Sequence, residues 1–420
     1  MPTPPPIEIR ARPGQPLGMP AARFLRDYWQ KRPLLVRAAF PGFASPVAPD
    51  ELAGLACEEL ALSRIVIETP AAAPGRRRAG ASRWELRTGP FAEGDFARLP
   101  RTHWTLLVQD VDKWDADVAA LLDAFAFVPG WRIDDVMISY AEDGGSVGAH
   151  VDQYDVFLLQ GLGRRHWQID ATRTRFDAAD FRDDTELKLL REFAPSHDWV
   201  LEPGDLLYLP PGVPHHGVAQ GPCMTYSVGM RAPSQADLLG DFVDHLLETL
   251  PEHARYADPD LAPAHGDGEI DDAAIARVVQ AMPWLRVAAS SARATPDAVP
   301  LPVLRAWFGG FITRYRSAQL VAAPPRPIGD AAFARAVATG ASVRRNPWSR
   351  CAWMREGRAA RVFVAGEAHD ASVALARALG SRRDLPLSDV AAGRDLGVVR
   401  RLLDAGHLAL VRTRRRGGSR

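Results

Sequence analysis

The sequence predicts a mainly β core, a barrel of two facing sheets, followed by a helical region and a small α+β domain. Three observations carry this. From Trp104 to Met230 the chain runs as short apolar strands separated by turn residues, the pattern of a double-sheet barrel. After Arg231-Ala232-Pro233 the spacing changes, and Leu238, Leu239, Phe242, Val243, Leu246, Leu247 and Leu250 recur at helical intervals. Beyond Pro324-Pro325-Arg326-Pro327, strand and short-helix patterns alternate.

Taken in order, residues 1–20 are rich in Pro and Gly and read as an extended arm. Ala22 to Gln30 reads as a helix with Phe24, Tyr28 and Trp29 on its apolar side, and Pro33 to Val36 as a strand. Pro49-Asp50-Glu51-Leu52 opens a second helix, its acids placed against the positive end of the helix dipole. Pro70 to Ser82 is a loop. Trp104 to Gln109 is a strand, Asp117 to Phe127 a helix, and Asp135 to Tyr140 a strand leading to the Gly144-Gly145 turn. Glu202-Pro203-Gly204-Asp205 makes a turn before the buried strand Leu206 to Leu209. Ser234 with Asp237 has the pattern of a capping box. Further helices are expected over Asp271–Met282 and Val303–Arg316, the latter with Leu304, Trp307, Phe308, Phe311, Ile312 and Tyr315 on a broad apolar side. The end of the chain, with strands Arg361 to Val364 and Leu408 to Val411 and helices Ser372–Leu379 and Leu396–Leu403, is winged-helix-like. The expected division is 1–100 flanking elements, 101–232 β core, 233–323 helical region expected to dimerise through its apolar stripes, and 328–420 C-terminal domain.

A chain of 420 residues holds two or three domains and a substantial core. Lys+Arg and Asp+Glu are 51 each, so net charge argues for neither a nucleic-acid nor a membrane partner. Arg76-Arg77-Arg78 and Arg412 to Arg416 are local basic clusters. Cys57, Cys223 and Cys351 lie far apart and read as reduced thiols of a cytoplasmic protein. The N-terminus has no signal-peptide pattern, and no apolar run is long enough to span a bilayer.

The chemistry centres on Gly148 to Ser227. His150 and Asp152 form an H-x-D pair, and alternation along a strand points both the same way. A third ligand follows 63 residues after Asp152 at His215, or at its neighbour His216. Adjacent strand residues face opposite sides, so only one of the two reaches the metal. Two histidines and one carboxylate on one face leave coordination positions open, which suits Fe(II) and oxygen chemistry better than a structural zinc. In Gly163-Arg164-Arg165-His166-Trp167, Arg165 and Trp167 share a face. An arginine inside a barrel needs an anion, and a dicarboxylate co-substrate supplies one that a guanidinium can grip with two hydrogen bonds. His166 and His197 have no evident partner in the sequence.

At these residues the chain resembles the bacterial ribosomal oxygenases, which are JmjC-type 2-oxoglutarate-dependent hydroxylases. The resemblance rests on H-x-D-Q-Y-D-V-F from His150, Q-G-x-G-R-R-x-W from Gln160, L-E-P-G-D-x-L-Y-x-P-P-G-x-P-H from Leu201, and Y-S-V-G-x-R-A-P from Tyr226. It extends to Trp29-Gln30-Lys31-Arg32-Pro33 and Trp131 to Asp135. It implies a double-stranded β-helix of cupin/JmjC type, a homodimer built on the helical region, and a winged-helix-like domain. It places the iron ligands on His150, Asp152 and His215, the 2-oxoglutarate contact on Arg165, and a further co-substrate contact on Ser227. It also implies O2 as oxidant and C-3 hydroxylation of an arginine in protein sixteen of the large ribosomal subunit. The same iron acting on an N-methyl carbon would make a demethylase. A ligand-sensing cupin with a DNA-binding domain would make a regulator. For the C-terminal domain protein docking is preferred, since its helices show no evident basic face, and direct nucleic-acid binding is not expected.

Overall fold

An eleven-stranded sheet dominates the first of two units, Met1–Ala232. The computed structural model describes residues 7–70, 82–172, 175–248, 250, 255–259, 276–278, 280, 301–315, 321–381 and 384–411. The two arginine clusters and most of the helix expected over Asp271–Met282 lie outside them. The strands are β1 (Glu8–Arg10), β2 (Leu34–Arg37), β3 (Ser63–Thr69), β4 (Arg83–Thr88), β5 (Trp104–Val108), β6 (Ile133–Ala141), β7 (His150–Val151), β8 (Val156–Ile169), β9 (His197–Leu201), β10 (Leu206–Leu209) and β11 (Pro214–Met230). Their order is β1-β2-β10-β8-β11-β6-β5-β3-β4, with β7 paired to β11 and β9 to β8.

The long antiparallel pair β8–β11 positions the site. It runs from His215↔Ile169 to Gly229↔Val156, with register shifts between Gln220 and Thr225. The pair bends there. Gly163 has φ +61°, and a Cβ on it would lie 2.1 Å from the Pro222 carbonyl oxygen, so only glycine allows the strands this close. Leu158, Trp167, Ile169, Leu207 and Leu209 line one apolar interior. On the other face, Ile138, Met224, Tyr226 and Val228 join the main core.

Helix α1 (Ala21–Asp27) lies over that core and buries Phe24 completely. The Phe24 ring meets Tyr208 edge-on at 4.9 Å between centroids, and Phe157 packs on Tyr208 at 4.8 Å. Helix α2 (Pro49–Leu55) starts with Pro at its first turn and buries Leu52. Two expectations change. Part of the N-terminal arm is the strand β1, paired parallel to β2 with Glu8 opposite Leu35 and held by an ion pair from Arg37 Nε to Glu8 at 2.8 Å. The helix expected over Asp117–Phe127 is instead a short α-helix, Ala116–Ala120, continued as a 3₁₀ turn, Leu121–Phe125. The tighter winding stacks residues three apart, and it buries both Leu122 and Phe125.

The second unit, Pro233–Arg420, begins with α3 (Gln235–Leu247). Its capping box is present: Asp237 N donates to Ser234 Oγ at 3.0 Å, and Ser234 N donates to the Asp237 carboxylate at 3.0 Å. Then come α4 (Leu301–Thr313), α5 (Asp330–Ala338), β12 (Ser342–Arg345), β13 (Cys351–Glu356), β14 (Ala359–Val364), β15 (Glu367–Ser372), α6 (Val373–Gly380), β16 (Leu385–Pro386), α7 (Arg394–Asp404) and β17 (Leu408–Leu410). β13, β14 and β15 form one sheet, and β16, β12 and β17 another. Leu375 and Leu379 of α6 and Val398 and Leu402 of α7 share a core with Val362 and Val364. α4 joins this sheet, with Gly366 N donating to Thr313 Oγ1 at 3.1 Å. Trp307 is buried against Phe242, 4.8 Å between centroids, whereas Leu239 and Leu247 are 64% and 59% exposed.

Candidate metal centre

β7 is two residues long, because its pairing to β11 covers only Val151↔Pro214 and His150↔His215. That short ladder sets the two histidine rings side by side, 4.2 Å between centroids. Asp152 follows just after the strand. Its carboxylate lies 3.8 Å from His150 Nε2 and 3.6 Å from His215 Nε2. One ligand atom from each of the three lies within 4.8 Å of the others.

The tautomers follow from the neighbours. His150 Nδ1 is 3.0 Å from the Gly148 carbonyl oxygen, and His215 Nδ1 is 2.9 Å from that of Val213. A carbonyl only accepts, so each Nδ1 carries the proton and each Nε2 turns a lone pair toward Asp152. Burial and the neighbouring His150 hold His215 down to about 4, so its ring is neutral near pH 7. Two imidazole Nε2 donors and a carboxylate are the donor set of a divalent metal with open positions. His216 points away from them. Its ring is half-buried, edge-on to Phe193 at 6.2 Å.

Farther along the β8–β11 pair, Arg165 is 3% exposed. Its Nη1 donates to Ser139 Oγ at 3.3 Å and its Nη2 to the Gly217 carbonyl at 3.2 Å. Nε has no hydrogen-bond partner, and the guanidinium lies 5.3 Å from the Trp167 ring centroid. Among the described residues no carboxylate pairs with it. A Cβ on Gly217 would stand 2.7 Å from Arg165 Nε and 2.8 Å from the Trp167 ring, so glycine is what leaves room for this packing. Burial pushes the Arg165 pKa down from its ordinary value. A buried cation without an anion is a costly arrangement, and it fits a site made to receive one.

Strand register adds residues that local sequence patterns do not reveal. Ser139 pairs with Thr225, Met137 with Ser227, Thr225 with Gln160 and Ser227 with Leu158. Directly opposed residues share a face. Ser139, Gln160, Thr225 and the buried Ser227 therefore line the Arg165 side of the barrel. Thr225 Oγ1 donates to Gln160 Oε1 at 3.1 Å, and Gln160 Nε2 donates to the Leu162 carbonyl at 2.9 Å. Asp135 lies on the same face of β6, two alternations from Ser139. It is half-buried, accepts from Asp110 N at 3.1 Å, and is pushed up to about 7 by burial and by Asp110 and Asp134. Tyr154, 41% exposed, has its pKa raised by burial and then by the charges of Asp152 and Asp135.

Asp155, in the same motif as His150 and Asp152, is a structural centre. It is fully buried and accepts from Tyr208 Oη at 2.7 Å, Gln30 Nε2 at 2.9 Å and Arg132 Nη2 at 3.4 Å. His166 and His197 do acquire neighbours: His166 Nε2 lies 3.6 Å from Asp198, and His197 stacks on Trp199 at 5.5 Å.

Comparison with known proteins agrees with this geometry. Residues 120–238 match the JmjC domain family, and residues 303–409 match the ROXA-like winged helix. The chain is 38% identical over 304 residues to the ribosomal protein uL16 3-hydroxylase of Escherichia coli, covering 72% of this chain and 74% of that one. It is 35% identical over 240 residues to a probable ribosomal oxygenase of Haemophilus influenzae, covering 57% and 54%. Its structure resembles that of E. coli YcfD with a TM-score of 0.76 at 32% identity, over 94% of this chain and 99% of that one. A YcfD structure in complex with cobalt and 2-oxoglutarate matches at 0.73 and 33% identity, over 94% and 99%. The JmjC/cupin core and the C-terminal winged helix are thus established.

Proposed function

Since the chain belongs to the JmjC-type ribosomal oxygenases, we propose that it hydroxylates C-3 of an arginine in large-subunit protein uL16, using Fe(II), 2-oxoglutarate and O2. The observation that carries this is the pairing, in one barrel, of a metal donor set with a buried guanidinium lacking an anion. In this reading His150, Asp152 and His215 hold the iron. Arg165 receives the far carboxylate of 2-oxoglutarate, with Ser227 as a second contact. Bound there, iron and 2-oxoglutarate would activate O2, which is the oxidant: one oxygen atom would enter the substrate C–H as C–OH and the other the succinate left when 2-oxoglutarate loses CO2.

The protein's own part is binding and positioning. The Nδ1–carbonyl hydrogen bonds fix both imidazoles. Ser139 and Gly217 orient the guanidinium, and the Trp167 ring packs against it. Asp135 and Tyr154 suit an arginine substrate: a carboxyl group poised near pH 7 ionises when a guanidinium arrives, and a phenol ring packs on its plane.

We also infer a cytoplasmic homodimer. No helix among the described residues is long and apolar enough to cross a membrane. The exposed Leu239 and Leu247 continue an apolar groove lined by Leu238, Phe242, Leu304 and Phe308, and apolar surface of this kind is usually covered.

The test is mass spectrometry of uL16 incubated with the iron-loaded enzyme, with succinate measured alongside. Gain of one oxygen on an arginine, matched by succinate, is expected. Formaldehyde release from a methylated peptide, with no oxygen gained, would favour demethylation instead.

A further inference from the structure

The sequence alone favours protein docking for the winged-helix domain, but the fold exposes arginines on α7 and on the β13–β14 hairpin, and we infer instead that the domain is an RNA-docking module, binding phosphate through the outer face of α7 and the tip of that hairpin. The net charge of zero conceals a strong segregation. Residues 301–420 hold 22 arginines and no lysine against 8 acidic residues, a net +14, while residues 1–300 hold 29 basic and 43 acidic residues, a net −14. Such an asymmetry points to different partners for the two parts of the chain.

The fold gathers part of this charge. α7 buries Asp395, Val398, Val399, Leu402 and Leu403 and leaves Arg394 and Arg401 exposed. The hairpin tip, Arg355-Glu356-Gly357-Arg358, exposes both of its arginines. The two features are tied together. Ala359, next to Arg358, pairs with Ser372, and Ser372 N and Oγ both donate to the Asp395 carboxylate, beside Arg394. The neighbouring acids are largely engaged. Glu356 and Asp370 both pair with Arg361, at 3.5 and 3.3 Å, and Asp395 is buried. Among the described residues none of Arg355, Arg358, Arg394 and Arg401 has a carboxylate partner.

A helix and an adjoining hairpin, both basic at their exposed ends, form an arrangement suited to groove and backbone contact. An RNA partner also fits the charge of the rest of the chain. The acidic part would attract a basic ribosomal protein and repel a polyphosphate, so an enzyme meeting its substrate beside RNA gains from a separate basic module. The inference concerns docking, not the reaction, and its test needs no turnover.

The test is fluorescence anisotropy of the full-length protein with a short labelled RNA hairpin at rising salt. Binding should weaken linearly in log–log form. Changing Arg355, Arg358, Arg394 and Arg401 together to Ala should lower the slope by about four, about one for each phosphate contact removed. Melting temperature and turnover on a short uL16 peptide should stay at wild-type values. Should the fourfold variant misfold, the pairs Arg355→Ala/Arg358→Ala and Arg394→Ala/Arg401→Ala should each lower the slope by about two. Absence of salt-sensitive RNA binding, or an unchanged slope in folded variants, would overturn the inference. So would equally tight binding of a polyglutamate peptide or of phosphatidylglycerol vesicles, which would assign the surface to an acidic protein or to a membrane.

Discussion

Replacing Arg165 with Met separates what this side chain does for the fold from what it does for the reaction. The methionine keeps an apolar stem against Trp167 and removes the charge. In the protein alone, that charge is 3% exposed and has two long hydrogen bonds, one orphaned nitrogen and no carboxylate. Exchanging buried ionic groups for apolar ones of similar volume stabilises by about 1–4 kcal/mol in favourable cases. Loss of the ring contact offsets about 1 kcal/mol of this. Arg165→Met should therefore melt at or a few degrees above the wild type, since about 1 kcal/mol shifts the midpoint by about 2–4 °C in a unit of this size. Co-substrate binding should respond in the opposite sense. Removing one partner of a buried charge pair costs about 2–5 kcal/mol, which raises KM for 2-oxoglutarate by roughly 30-fold to several thousand-fold. Two assays read the two effects: succinate formation against 2-oxoglutarate concentration, and thermal unfolding with and without it. At 100 times Kd the ligand should stabilise the wild type by about 2.7 kcal/mol and leave the variant unmoved. A variant that melts lower yet keeps its KM would refute the reasoning, because the cation would then be structural.

For the metal, His215→Ala should abolish iron binding and turnover, while His216→Ala should at most reduce turnover modestly; the reverse pattern in metal content would show the wrong strand face. Asp135, raised to about 7, binds its proton more tightly folded than unfolded, so its contribution to stability is present below about pH 4 and is lost as pH rises through about 7. Asp135→Asn should flatten that part of the pH–stability curve, and in the wild type KM for the uL16 peptide should fall as pH rises through 7; equal pH profiles for the two proteins would remove Asp135 from substrate binding. Leu239→Glu with Leu247→Glu should give a single species near the 45.9 kDa chain mass in analytical ultracentrifugation, and a dimer surviving both changes would place the interface elsewhere.

How much of this was readable in advance depended on distance along the chain. The nearness of His150 and Asp152, and the burial of Arg165 but not Arg164, are matters of placement that short-range spacing and two-residue alternation along β8 already suggest. Ser139, Gln160, Thr225 and Asp135 were not readable, because they meet the site only through the register of β6, β8 and β11. The buried role of Asp155 was hidden for the same reason, its partners Gln30 and Tyr208 lying 125 and 53 residues away. At Leu121–Phe125 the apolar pattern matched a helix, and packing chose the tighter winding. Tyr315, grouped by spacing with Trp307 and Phe311, turns instead to Trp348 at 5.5 Å.

The bent strand pair β8–β11 bears on how this enzyme is made. Its ladder joins residues that are 46 positions apart at Ile169↔His215 and 73 apart at Val156↔Gly229. Closing loops of that size is slow and unrewarded until the ladder forms. His215 and the Gly217 carbonyl that accepts from Arg165 are both on the later strand, which leaves the ribosome well after the earlier one. A nascent chain thus has neither a complete metal donor set nor a seated guanidinium until the β8–β11 ladder is shut. Uptake of a spectroscopically visible ion such as cobalt would then time the closure of the barrel in a refolding experiment, ahead of any assay of turnover.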